Sequence, residues 1–215
     1  MILDTQKAKQ IASNLLQINA IKLQPTQPFT WASGWKSPIY CDNRLVLSYP
    51  QVRHFVASEF ARTITENYPD TQVIAGVATG AIGMGMLVAQ ILELPFVYVR
   101  PQAKKHGRQN QIEGVSTQDK KVIVIEDLIS TGMSSLNAVK ALNEDGADIQ
   151  AMLAIFTYGF DVAKENFQNT KLPFYTLCDY DVLLEQALQQ DIIAKEQFEL
   201  LRVWKKDPAS WQASL

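Results

Sequence analysis

The stretch Val122 to Ser134, VIVIEDLISTGMS, decides the reading of this chain. Its first residues, Val122 to Ile125, form a short β-branched run of the kind found in strands buried on both faces. The run ends in two carboxylates, Glu126 and Asp127. Past Leu128 and Ile129 come Ser130, Thr131, Gly132, Met133 and Ser134, a hydroxyl- and glycine-bearing turn that passes into helical spacing from Thr131 to Glu144. Ionised carboxylates only accept hydrogen bonds, so the acidic pair suits the hydroxyls of a ribose. A turn that opens a helix offers unpaired amides and side-chain hydroxyls to a phosphate dianion. Taken singly, Ser130 or Thr131 also reads as a helix cap and the acids as solvated strand-end groups. Together, at this spacing, they read as one loop for sugar hydroxyls and a 5-phosphate.

Outward from this stretch the pattern repeats. Val73 to Val77, Phe96 to Val99, Ala151 to Phe156 and Phe174 to Leu177 are further strand-sized apolar runs, and Ala81 to Leu92 carries helical spacing between two of them. Strands alternating with helices predict an α/β fold with a mostly parallel sheet and right-handed crossovers. Asp4 to Ile18 spaces its apolar residues as an amphipathic cap helix. Ala20 to Leu47 mixes Gly, Pro, Ser and aromatics in short alternating segments, Tyr49 to Tyr68 returns to helical spacing, and the tail from Asp179 to Leu215 is helical. The expected organisation is a single domain over 1–215, with a hood over 1–48, a core over 49–178 and a helical tail over 179–215. Ligands of such sheets bind outside the carboxyl ends of the strands, which selects the loops after Val77, Arg100 and Ile125.

With 215 residues, 47% of them hydrophobic and 20% charged, the chain has the profile of a folded globule. A net charge of -2 gives no long-range pull toward nucleic acid or anionic membrane, so phosphate chemistry must come from local clusters. Cys41 and Cys178 stand far apart without a CxxC pair, which fits a reducing cytoplasm and indicates neither a disulfide framework nor a zinc site. The opening segment lacks the order of a signal peptide, and the longest apolar runs are strand-sized rather than membrane-spanning.

The two other loops are as informative. GVATGAIGMG, Gly76 to Gly85, follows a strand and opens a helix with its glycines in the wrong order for GxGxxG. RPQAKKHGRQNQIEG, Arg100 to Gly114, is polar, basic and long for a compact domain, which favours a lid. Its cations suit a leaving group on which negative charge accumulates. Ahead of the core, FTWASGWKSPIYCDNR, Phe29 to Arg44, combines aromatics, small residues and one arginine; Trp31 and Trp35 also read as ordinary core packing.

The strand, two acids, three residues, Thr131, Gly132 and Ser134 resemble the phosphoribosyl pyrophosphate-binding motif of the type I phosphoribosyltransferases, with Met133 where glycine is common. Joined to the flap and the hood block, the resemblance is to orotate phosphoribosyltransferases and spans Ala20 to about Tyr158. It implies the type I fold and the transfer of a phosphoribosyl group to orotate, with Mg²⁺ held mainly by the substrate rather than by dedicated residues. Lys104 and Asp127 are the catalytic candidates. Arg100, Lys104, Lys105 and His106 are implied for pyrophosphate, and Thr79 and Gly80, within Ala78 to Ala81, for its backbone loop. Glu126, Asp127, Leu128, Ile129, Ser130, Thr131, Gly132, Met133 and Ser134 take the ribose phosphate. Ser130, Arg44 and Tyr40 are assigned to orotate, Arg44 because the cations that some members carry at Ala32 and near Thr157 and Tyr158 are missing. Pro101 replaces a second basic residue, for which Lys105 or Arg108 is the candidate substitute. A homodimer with shared sites is also implied. Two other readings have recognisable signatures: a phosphoribosyltransferase for a purine or uracil would need a different hood, and a non-catalytic regulator would lack the lysine loop and carry a DNA-binding part.

Overall fold

The computed structural model describes residues 2–31, 34–102 and 111–211. Helix α1 (Thr5–Gln17) starts at Asp4, whose carboxylate accepts from the Lys7 amide at 3.0 Å. Short strands β1 (Ile21–Leu23), β2 (Phe29–Thr30), β3 (Lys36–Ser37) and β4 (Ile39–Cys41) pair antiparallel, β1 with β4 and β2 with β3, and form the hood. A 3₁₀ helix (Asn43–Ser48) leads to α2 (Pro50–Asn67). The core then alternates as β5 (Val73–Val77), α3 (Ile82–Leu92), β6 (Phe96–Val99), β7 (Ile112–Glu113), β8 (Lys121–Ile129), α4 (Met133–Glu144), β9 (Asp148–Thr157), α5 (Asp161–Thr170) and β10 (Phe174–Asp179). Helices α6 (Tyr180–Gln189) and α7 (Lys195–Lys206) close the described chain.

The core strands form one sheet in the order β10-β9-β8-β5-β6-β7, parallel except for the edge strand β7. Strand periodicity divides its side chains between two layers. Ile123, Ile125, Leu153 and Ile155 pack with residues of α1, α2, α3 and α6, such as Leu15, Phe60, Met84 and Leu183. Their neighbours Val122, Val124, Met152 and Ala154 pack on the opposite face with Ala138, Leu142, Ala163 and Phe167 of α4 and α5. Both faces are covered, which is why these strands read as continuous apolar runs.

Hood and tail join the first layer. Trp204 of α7 is fully buried and lies 5.7 Å from Trp31 of the hood, 5.8 Å from Tyr158 and 5.4 Å from Tyr180, ring centre to ring centre. The helical tail is therefore packed beneath the hood. Strand β8 runs further than its apolar segment suggests. It carries Glu126 to Ile129 inside the sheet, because the longer β9 pairs Glu126 with Ala154 and Ile129 with Thr157. The acids lie within the strand's last turn of pleat rather than beyond it. Among the described residues no helix is long and apolar enough to cross a membrane.

Candidate active site

The two acids of β8 point to different surroundings, as neighbours in a strand must. Glu126 is buried, at 4% exposure; one carboxyl oxygen takes the Asp127 amide at 3.0 Å and the other the Ser135 hydroxyl at 2.8 Å. Burial, reinforced by the charge of Asp127, pushes its carboxyl well above the ordinary glutamate range and toward the neutral form. Asp127 is half-buried and meets the turn after β5: a Cβ added to Gly80 would overlap the Asp127 carboxylate. The glycine is needed for that approach. From the other side Asn43, at the start of the 3₁₀ helix, donates to the Asp127 carbonyl at 2.7 Å. Elements distant in sequence thus hold Asp127, the 3₁₀ helix through its carbonyl and the Gly80 turn against its carboxylate.

The turn that follows is held by its neighbours while its amides stay open. Gly132 is the first boundary residue of α4, at φ 82°, and no side chain caps the helix start. That outcome removes capping as the purpose of Ser130 and Thr131. A Cβ at Gly132 would lie 2.9 Å from the Phe167 ring, so the position is closed to other residues by both conformation and space. Asn166 of α5 donates to the Thr131 carbonyl at 2.9 Å, and the Thr157 hydroxyl to the Ile129 carbonyl at 2.9 Å. Met133 is 63% exposed, which accounts for an unbranched apolar residue being tolerated there. Helix-start amides beside a carboxylate make a site for an anion joined to hydroxyls.

The turn between β5 and α3 lies alongside. Its Ala78 amide donates to the Val99 carbonyl at 2.8 Å and the Ala81 amide to the Val77 carbonyl at 3.0 Å; the Ala78–Thr79 peptide is cis, and Thr79 is exposed. At the end of β6, Arg100 forms an ion pair with Glu113 of β7 at 3.4 Å, and the Arg100 amide donates to the Gln111 carbonyl at 2.9 Å. These bonds close the neck of the basic segment at the ligand end of the sheet. Lys104, Lys105, His106 and Arg108 lie outside the described residues, as does Ala32.

In the hood, Trp31 donates to the Ile39 carbonyl at 3.1 Å and leans on Tyr158 at 5.3 Å, so its packing role holds, whereas Trp35 is 37% exposed. Tyr40 is exposed and rests on Phe29 at 5.6 Å. Arg44 is exposed and forked onto Asp42, with contacts of 2.7 and 2.9 Å. It is within the electrostatic reach of Tyr40 and Asp127. Burial, then the nearby charges of Asp127 and Asp42, raises the Cys41 thiol well above its usual range.

Ser135, Asn43, Asn166 and Thr157 hold the site and were not singled out from the sequence. Ser135 alone left a local signal, a serine in the first turn of a helix on the face that otherwise carries Ala138, Val139 and Leu142. The other three act across long sequence separations and leave none. Among the described residues, no group of three His, Cys, Asp or Glu side chains could hold a metal ion. Asp127 is the carboxylate placed to add one ligand to a cation carried by a phosphorylated substrate, while Glu126 already has both oxygens engaged.

A family model described as a phosphoribosyl transferase domain matches residues 49–164, from the start of α2 into α5. The chain is 54% identical to an orotate phosphoribosyltransferase of Porphyromonas gingivalis over 203 residues, 94% of this chain and 97% of that one. It is 51% identical to one of Listeria innocua, again over 94% of this chain and 97% of the relative. Among solved structures, an orotate phosphoribosyltransferase from Aeropyrum pernix superposes with a TM-score of 0.72 at 24% identity, covering 86% of this chain and 99% of that chain; at that identity the likeness concerns the fold.

Proposed function

Because the chain belongs to the orotate phosphoribosyltransferase family, we propose that it joins orotate to the ribose 5-phosphate of phosphoribosyl pyrophosphate, releasing pyrophosphate and forming orotidine 5'-monophosphate. The observation that supports this most directly is the uncapped start of α4, set beside the Asp127 carboxylate and the Gly80 turn. The 5-phosphate takes the amides and hydroxyls from Ser130 to Ser134. Asp127 accepts from the ribose hydroxyls, and Glu126 supports it from within the strand. The backbone of Thr79 and Gly80 meets the pyrophosphate. Arg100, Lys104, Lys105 and His106 are assigned to its departing charge.

The reaction is substitution at the anomeric carbon: N1 of orotate forms the new bond as the bond to pyrophosphate breaks, with inversion. Orotate ionises at N1 without a strong base, so catalysis rests on positioning and on donors aimed at the leaving group. Bound Mg²⁺ would be held mainly by the substrate, with Asp127 the residue placed to add a ligand, and would supply positive charge against the pyrophosphate. Ser130, Tyr40 and Arg44 face the pyrimidine side, with Arg44 the cation for its carboxylate. The enzyme is cytoplasmic and works as a homodimer whose Lys104 segment serves the neighbouring site. Met86 and Ile91, exposed at 47% and 43% on α3, give that dimer an apolar face. Mixing Lys104→Ala with Asp127→Asn chains is expected to restore part of the activity that each lacks.

The test is to incubate the purified chain with phosphoribosyl pyrophosphate, Mg²⁺ and, separately, orotate, uracil, adenine and hypoxanthine. Loss of orotate absorbance alone is expected, with Lys104→Ala lowering kcat by about 10² to 10³. Turnover of another base, or of none, would overturn the reading.

A further inference from the structure

A second cleft lies behind the phosphate turn, between α5, the ends of β9 and β10, and the first turn of α6. Its volume is about 760 Å³, within the size range of small-molecule sites. Phe160, Ala163, Phe167, Leu172, Pro173 and Phe174 supply an apolar lining. Thr176, only 3% exposed, also lines it, and its hydroxyl is buried without a hydrogen-bond partner among the described residues. A buried hydroxyl left unpaired is unfavourable, which leaves this wall of the cleft short of one hydrogen bond. The cations around the rim are Lys164, Lys171 and Lys205. Lys164 is paired with Asp161 and Lys205 with Asp181, while Asp179 caps α6 through the Val182 amide. Lys171, at the end of α5, has no ion-pair partner among the described residues.

The cleft shares two walls with the turn. Phe167 forms part of its lining and also abuts Gly132. Thr157 lines the cleft and donates to the Ile129 carbonyl, immediately before the turn. Asn166, next to Phe167 on α5, holds the Thr131 carbonyl. Filling the cleft in its present shape would hold α5 against the turn.

We propose that this cleft binds a small amphiphilic anion, an apolar body of aromatic size with one negative group near Lys171, and that its occupancy tightens the grip of the turn on the activated sugar. The coupling rests on the turn being the phosphate site; the cleft itself does not. Coupling between two sites is reciprocal, so the sugar must tighten the anion by the same factor.

The probe is 8-anilinonaphthalene-1-sulfonate, titrated into the full chain by fluorescence and calorimetry, with and without saturating phosphoribosyl pyrophosphate and Mg²⁺. Saturable binding is expected, with Kd lowered about fivefold by the sugar, at the lower end of allosteric couplings. The exposed pair Gln168→Glu and Lys171→Asn should abolish it and leave transferase activity unchanged; asparagine tolerates the positive φ of 55° at position 171. Displacement of the probe by the sugar, or unaltered binding in the double variant, would refute the cleft. Equal competition by inorganic sulfate would refute the amphiphile class. Sugar binding is measured alone as a separate arm. If it fails while the probe still binds, the reading of the turn is wrong and the coupling is lost with it; if both bind without mutual effect, the coupling alone is refuted.

Discussion

In β8 and the turn after it, the Glu126 carboxyl and the Asp127 and Thr131 carbonyls are each tied to a different element of the core, whereas Arg44 of the hood is tied to Asp42, two residues away in its own segment. The region proposed for the sugar phosphate is therefore held in place by hydrogen bonds from α4, α5 and the 3₁₀ helix. The region proposed for the pyrimidine has its aromatic base fixed, through Trp31, Tyr158 and Trp204, and its polar surface left to solvent. On the proposed function, that difference predicts rigid binding of the common donor and adaptable contact with the base.

The largest effect should come from cutting the hood loose from below. Trp204→Ala removes a fully buried ring that touches Trp31, Tyr158, Phe160 and Tyr180, and is expected to lower unfolding free energy by about 3 to 5 kcal/mol in urea titrations. If the two halves are constructed differently, the surviving folded enzyme shows a raised KM for orotate with a nearly unchanged KM for phosphoribosyl pyrophosphate. Equal rises in both would break the comparison.

Next in size are changes at the fixed carboxylate. Asp127→Asn weakens charged hydrogen bonds to two hydroxyls, and Gly80→Ala drives a methyl into the same carboxylate. Each is expected to lower kcat/KM for the sugar by about 10²-fold, on the order of 3 kcal/mol. Isothermal calorimetry should show the loss in sugar binding without orotate present. Normal sugar affinity in both variants would remove Asp127 from the role.

Arg44→Ala should raise the KM for orotate about tenfold, as one charged hydrogen bond is lost, and leave stability almost unchanged, since exposed ion pairs contribute little. Asp42→Asn frees the guanidinium and is expected to lower that KM instead. A tenfold rise confined to the carboxylated base, with none for sugar binding, sharpens the contrast; no change on either substitution returns Arg44 to being a surface partner of Asp42.

How much of this was legible differs between the same two regions. The strand, the acids and the turn were readable because their chemistry is contiguous: a buried run, two acceptors and a helix start follow one another from Val122 to Ser134. The parallel sheet was readable for a related reason, since burial on both faces leaves an unbroken apolar run. Strand β8's extension to Ile129 was not, because its length is set by pairing with β9 rather than by its own composition. Nor was the inward turn of Glu126, which depends on Ser135 reaching back from α4. Asn43 and Asn166 act over sequence separations that no local pattern records. In the hood, Trp31 and Trp35 both read as core packing; Trp31 packs against Trp204, while Trp35 is 37% exposed.

The smallest effect concerns that inward acid, and pH separates its two possible states. Glu126 is raised above its ordinary range by burial and by the charge of Asp127, so folding shifts it toward its neutral form. A carboxyl whose folded value exceeds its unfolded one contributes stability that is fully present below the unfolded value and is lost as pH rises through the folded one. Glu126→Gln keeps the shape without the ionisation: its oxygen can take the Asp127 amide, and its amino group can face the Ser135 hydroxyl acting as acceptor. The variant should therefore match the wild type in Tm at low pH and pull ahead of it as pH rises, with kcat/KM within about threefold, roughly 0.7 kcal/mol, because the sugar is read by Asp127. Superimposable Tm curves would show that the carboxyl does not titrate over that range. A wild type that gains on the variant with rising pH would show instead that Glu126 is an ionised acceptor of the Asp127 amide and the Ser135 hydroxyl.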